Sequence, residues 1–167
     1  MRDYLALRPH RKKPRVCLDI LWFKQTDDHS CGAVAGWIVV KTLYPSRRNR
    51  KVFYRDCAPT NRYGMGTYRL AKALRKHKVR VSVKKCKLTL ETIKESVANK
   101  TPIIACIKTD NPWLHWVVVY GYDLMKETVY LANNGWDDPN GEISYQEFSE
   151  LVSGEHLICE RKRVMSS

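Results

Sequence analysis

The chain has 167 residues, 44% of them hydrophobic and 28% charged, which suffices for one core, falls short of two, and excludes wholesale disorder. Lys and Arg number 30 against 17 acidic residues, a net charge of +13, crowded at Arg2–Arg15, Arg47–Lys51 and Arg75–Lys87. Such a field favours acidic partners: nucleic acid, an acidic protein or an anionic surface. No Cys2His2 spacing, RNP-type aromatic run or GxxG loop accompanies it, so no recognised nucleic-acid module is present. None of the 6 cysteines forms a CxxC pair, which argues against zinc or dithiol chemistry of that kind. Neither a signal-peptide apolar core nor a run near the length of a membrane span occurs. A reducing, cytoplasmic location is the expectation, with Cys106 acting as a small buried hydrophobe.

In chain order, a basic arm over 1–15 precedes a single domain over 16–167. Val16, Leu18 and Ile20 alternate with Cys17 and Asp19, which predicts a short strand. Gln25–Ser30 is a polar turn with Ser30 as the N-cap. Cys31–Leu43 is apolar nearly all round, the pattern of a buried central helix, and Pro45 stops it. Ser46–Gly66 is basic and turn-rich, and reads as a long excursion with little regular structure. Thr67 opens a second helix with Tyr68, Leu70, Ala71 and Leu74 on one face. A strand at Val79–Val83 follows, then a third helix capped by Thr89 with Leu90, Ile93 and Val97 as its apolar stripe. Pro102–Ile107, Leu114–Tyr120, Thr128–Ala132 and His156–Cys159 are strand candidates. Ser144 and Glu147 form a capping box that opens a short last helix. Helices first, then an antiparallel β-rich half, predicts an α+β fold.

Four positions carry chemistry. Cys31, at the first turn of the central helix, feels unpaired backbone N–H groups and the helix dipole, both of which favour thiolate. Gly32 beside it leaves room for a substrate backbone. His115 leads a strand apolar on both faces, where its imidazole can face the helix N-terminus and act as general base. The next strand is antiparallel and ends at Ala132, so Asn133 falls beside the start of the His115 strand and can orient the ring. Asn134 and Asp138 are alternatives for that third place. Gln25, across the turn from Cys31, can supply an amide donor to an oxyanion together with the Cys31 N–H. No metal or cofactor set is evident.

Gln25–Ala33, Gly66–Leu74, Leu88–Ile93, Thr101–Ile104, His115–Asp123 and Ile143–Phe148, in this order and spacing, resemble the C39-like family of papain-fold cysteine peptidases. The resemblance implies a central helix carrying the nucleophile against an antiparallel sheet, and Gln25 as oxyanion donor. The family usually has Asp-Pro where this chain has Asn133-Asn134. Asn can orient a histidine but lends an imidazolium no charge.

The expected function is thiol-dependent hydrolysis of a peptide or isopeptide bond in a protein or peptide, through Cys31, His115, Asn133 and Gln25. The same set also suits a protein glutamine deamidase or an acyl transferase, because attack on a side-chain amide gives the same thioester. A non-catalytic papain-fold module that binds nucleic acid or acidic proteins through its basic surface is the third alternative.

Overall fold

A computed structural model of the chain describes residues 15–60, 64–110, 114–133 and 140–163. Its core is a 7-stranded antiparallel sheet sandwiched between two helical layers. The strands are β1 (Arg15–Cys17), β2 (Val79–Lys84), β3 (Ile103–Ile107), β4 (His115–Asp123), β5 (Thr128–Ala132), β6 (Asn140–Ser144) and β7 (Val152–Arg161). Their order is β2-β7-β3-β4-β5-β6, and β1 pairs with the far end of β4.

The middle strands read as continuous apolar runs because both faces of the sheet are covered. Along β3, Ile104 and Cys106 point into one layer while Ile103, Ala105 and Ile107 point into the other. β4 divides in the same way, with Trp116, Val118 and Tyr120 on one face and Val117 and Val119 on the other.

The first layer holds α1 (Cys31–Leu43), α2 (Arg50–Cys57) and α3 (Thr67–Lys76). The second holds α4 (Leu90–Ala98) and α5 (Tyr145–Leu151). α1 is buried on nearly every side, between the sheet and its two companion helices. Close approach to those companions depends on Gly36: an added Cβ there would lie 2.7 Å from Phe53 Cζ and 3.0 Å from Leu70 Cδ1.

The expected long irregular excursion over 46–66 is corrected by α2. Asn49 caps it by accepting from the Val52 amide, and Phe53 and Cys57, four residues apart, are wholly buried under its basic exterior. A high density of Arg and Lys masked that short apolar stripe. β6 was also absent from the expected elements, β4 and β7 run longer than their apolar cores, and Tyr68, expected on the apolar face of α3, is exposed because that face is made by Leu70, Ala71, Ala73 and Leu74. Thr89 and Ser144 cap α4 and α5 as expected, each accepting from the amide three residues on. The arm before Arg15 lies outside the described residues. Among the described residues no helix is long and apolar enough to cross a membrane.

Candidate active site

The turn before α1 is organised by Asp27. Its Oδ1 accepts from the backbone amides of His29 at 3.0 Å and Ser30 at 2.6 Å. Ser30 occupies the N-cap position but makes no side-chain capping bond, and Asp27 orders the turn ahead of the helix instead. Burial alone would raise the Asp27 carboxyl, but hydrogen bonds from Ser30 and His29 outweigh it and hold the group below its usual range. Gln25 is buried, and its side-chain nitrogen donates to the Asp27 carbonyl. That bond fixes which end of the amide is which and leaves the second N–H hydrogen available.

Cys31 follows as the first residue of α1 and is 7% exposed. Burial pushes its thiol above the ordinary value, while N–H groups of Trp116, Gly32 and Cys31 itself pull the other way and Asp27 adds to the rise. The expectation that the helix start alone would favour thiolate is therefore corrected: desolvation of the anion exceeds what the amides return.

His115 is the first residue of β4, so the His115–Trp116 peptide that points its N–H toward the Cys31 sulfur also carries the imidazole. Burial lowers the His115 value below that of a free histidine, although the hydrogen bond to Asn133 works against this. At neutral pH both partners are uncharged.

Asn133 meets the ring in an unexpected way. Its main-chain carbonyl, rather than its side chain, is the partner of His115 Nε2. The ring therefore donates from Nε2, leaving Nδ1 with its lone pair. Asn133 sits at φ 62°, in the left-handed region that Asn tolerates, directly after β5 ends. Its side-chain Nδ2 turns away and donates to the Trp116 carbonyl at 2.8 Å and the Cys31 carbonyl at 3.1 Å. One residue thus holds the ring with its backbone and ties the first turn of α1 to β4 with its amide. Asn134 and Asp138 lie outside the described residues.

Two wall residues had no functional signal in the sequence. The Trp116 indole donates to the Met65 carbonyl at 2.8 Å. An added Cβ on Gly32 would lie 3.1 Å from Trp116 Cδ1 and 3.2 Å from the Met65 Cβ and sulfur. The space over Gly32, expected for a substrate backbone, is filled by these two side chains. Trp116 adjoins His115 and could have been flagged by that adjacency, whereas Met65 carried no such cue.

Of the other thiols, Cys106 faces the same core layer and is pushed up to about 12 by burial, with Cys31 nearby adding to the rise. It behaves as the small buried hydrophobe its strand suggested. Asp27, Asp28 and His29 have ligand atoms within 4.8 Å of one another, and are the one such group among the described residues. Within it, the Asp27 oxygen already serves the turn amides.

The Peptidase C39 family profile matches residues 19–163. Among curated proteins none matches. Among solved structures, the chain is similar to a double-glycine-motif protease from an AMS/PCAT transporter in complex with its leader peptide. That likeness has 19% identity, covers 87% of this chain and 94% of the other, and has a TM-score of 0.68. The peptidase domain of Streptococcus ComA, a bifunctional ABC transporter of a quorum-sensing pathway, gives 15% identity, coverage of 86% and 98%, and a TM-score of 0.70. Xylellain, a cysteine protease from Xylella fastidiosa, gives 13% identity, coverage of 90% and 87%, and a TM-score of 0.57. The profile match spans most of the chain and takes in Gln25, Cys31, His115 and Asn133. A sheet covered by helices on both faces, with a cysteine opening the central helix beside a strand-leading histidine, is thus the fold of a cysteine peptidase-like hydrolase: the chain belongs to the peptidase C39 family.

Proposed function

We propose that this protein hydrolyses a peptide or isopeptide bond in a protein or peptide substrate, with Cys31 as nucleophile and His115 as its base. The observation that carries this reading is the ring's hydrogen bond from Nε2 to the Asn133 carbonyl, which leaves Nδ1 as the basic nitrogen on a strand that packs against the helix starting at Cys31. His115 Nδ1 takes the thiol proton as sulfur attacks the substrate carbonyl carbon. The carbonyl oxygen becomes an oxyanion, held by the Cys31 N–H and the remaining Gln25 amide hydrogen. Collapse expels the amine, which leaves with the proton from His115, and a thioester remains. Water then attacks that thioester, giving up its proton to His115, and the acid product departs as the thiol is restored.

Because thiol and imidazole are both neutral at rest, proton transfer accompanies attack instead of preceding it. A peptide substrate fits the neighbours, one of which was solved with its leader peptide.

The test incubates wild type and Cys31→Ala with a peptide library drawn from a whole proteome and reads new termini by mass spectrometry. New termini with wild type and none with Cys31→Ala support the proposal. Substrates that stay whole while their glutamines convert to glutamate would replace it with deamidation. No change in either protein would leave a binding module.

A further inference from the structure

We propose that the outer face of α3 is a docking surface for an acidic segment of the peptide substrate, leading it toward Cys31; this rests on the peptidase reading above. Half of the 30 Lys and Arg residues fall between Arg47 and Lys87, where Asp56 is the one acidic side chain. Asp56 is already engaged: its carboxylate lies 2.5 Å from Lys76 Nζ and 2.8 Å from His77 Nε2, and Lys76, then His77, hold it below the usual range. The face therefore presents positive charge almost alone.

The basic side chains form a stripe, not a scatter. α3 buries Leu70, Ala71, Ala73 and Leu74 and exposes Arg69, Lys72, Arg75 and Lys76. Arg69 reaches the Ala58 carbonyl at the end of α2 at 2.8 Å, and Arg75 reaches the Val81 carbonyl in β2 at 3.1 Å. Those bonds hold the two guanidinium groups along the helix and leave further donors outward. Arg69 to Lys72 rises by about 4.5 Å along the axis and Lys72 to Lys76, which shares its charge with Asp56, by about 6 Å. Alternate residues of an extended peptide repeat every ~6.7 Å on one face, so carboxylates at alternate positions come within reach of these long side chains.

The stripe begins at the active site. Met65, just before α3, packs on Gly32 and accepts from the Trp116 indole, and Thr67 donates to Glu155 in β7 at 2.6 Å. Exposed Tyr68 stands at the same end of the helix. Near Cys31 the sign of charge reverses at Asp27, and Glu155 stands at the start of α3 against Thr67. A polynucleotide carries a negative charge at every residue and would meet those carboxylates on approaching Cys31. A peptide can confine its acidic residues to the part lying on α3 and present neutral residues at the scissile bond.

The experiment uses full-length Cys31→Ala, so that binding is read without turnover. Fluorescence anisotropy is measured with a labelled peptide alternating Glu and Ser, its Gln-for-Glu counterpart, and a labelled single-stranded oligonucleotide. The Glu peptide is expected to bind about tenfold tighter than the Gln peptide, as three or four weak exposed ion pairs add up to. That preference should disappear in Lys72→Glu and in Arg69→Glu/Lys72→Glu, the former changing a side chain that makes no hydrogen bond or ion pair among the described residues. In wild type the Glu peptide should also slow iodoacetamide capture of Cys31. Equal binding of the Glu and Gln peptides, indifference to both variants, or tighter binding of the oligonucleotide with equal protection of Cys31 would each overturn the proposal. Intact binding with no hydrolysis by wild type would sink the peptidase reading and spare the surface.

Discussion

Replacing Asn133 by Asp, the residue usual for the family at this place, should damage the protein, not improve it. The reason is the direction of the hydrogen bonds. Asn133 Nδ2 donates to two carbonyls, Trp116 at 2.8 Å and Cys31 at 3.1 Å, in a site 3% exposed. A carboxylate there has no hydrogen to give and sets its charge against two carbonyl oxygens. Losing two buried hydrogen bonds costs about 1–3 kcal/mol, and the facing lone pairs bring the total to about 2–4 kcal/mol. Asn133→Gly is the control: it loses the same amide but relieves the backbone at φ 62°, for a net loss of about 1–2 kcal/mol. Urea unfolding reads both, and the Asp midpoint should fall by about 1–2 M. The Asp loss should also depend on pH. A carboxyl facing carbonyls has its folded value raised, so the charge-dependent part of the penalty is absent below the unfolded value of about 3.9 and grows as pH rises above it. Hydrolysis by Asn133→Gly should fall less than about tenfold, because the ring's partner is main chain. Removing a side chain that oriented the base approaches ~100-fold. An Asp variant as stable as wild type and more active would refute the reasoning, since its side chain would then face the ring.

The thiol direction gives a second test. Iodoacetamide should react slowly with Cys31 at pH 7 and faster through pH 9 without a plateau below it, because burial raises the thiol; a plateau near pH 6 would instead show a standing thiolate–imidazolium pair. Gly36→Ala should cost about 1–3 kcal/mol by urea unfolding, since its Cβ would overlap Phe53, and an unchanged midpoint would mean that α2 is free to shift. Gly32→Ala should slow Cys31 alkylation by displacing Trp116 or Met65, an effect that an open substrate path over Gly32 would not produce. Asp56→Asn should lower stability at pH 7 and flatten the acid limb of the stability curve. With its carboxyl held low by Lys76 and His77, the stabilisation is present above about pH 4 and fades as pH falls below that. An acid limb identical to wild type would assign it elsewhere.

The parts of the fold that periodicity reports were legible in advance. α1 spans Cys31–Leu43 because that run is apolar all round and ends before Pro45. β3 and β5 follow their β-branched runs, and Thr89 and Ser144 cap where their hydroxyls predict. α2 was hidden because only Phe53 and Cys57 are buried, and Arg50, Lys51, Arg55 and Asp56 dilute so short a stripe. β6 was hidden for a related reason: its glycine and polar residues form a strand only because β5 supplies a full ladder from Thr128 to Ala132.

The site divides along the same line. Which residues approach one another follows from topology: antiparallel β4 and β5 bring position 133 beside position 115, and β4 underlies the start of α1. Which atoms they use does not follow, because a left-handed φ exchanges the roles of carbonyl and side chain. An acceptor read from residue type alone can be either, and for Asn133 the backbone takes the ring while the amide fastens the helix that starts at Cys31. This also accounts for the Asn at a place where the family usually has Asp. Here the side chain must donate, and of the two residues only Asn can do so at neutral pH.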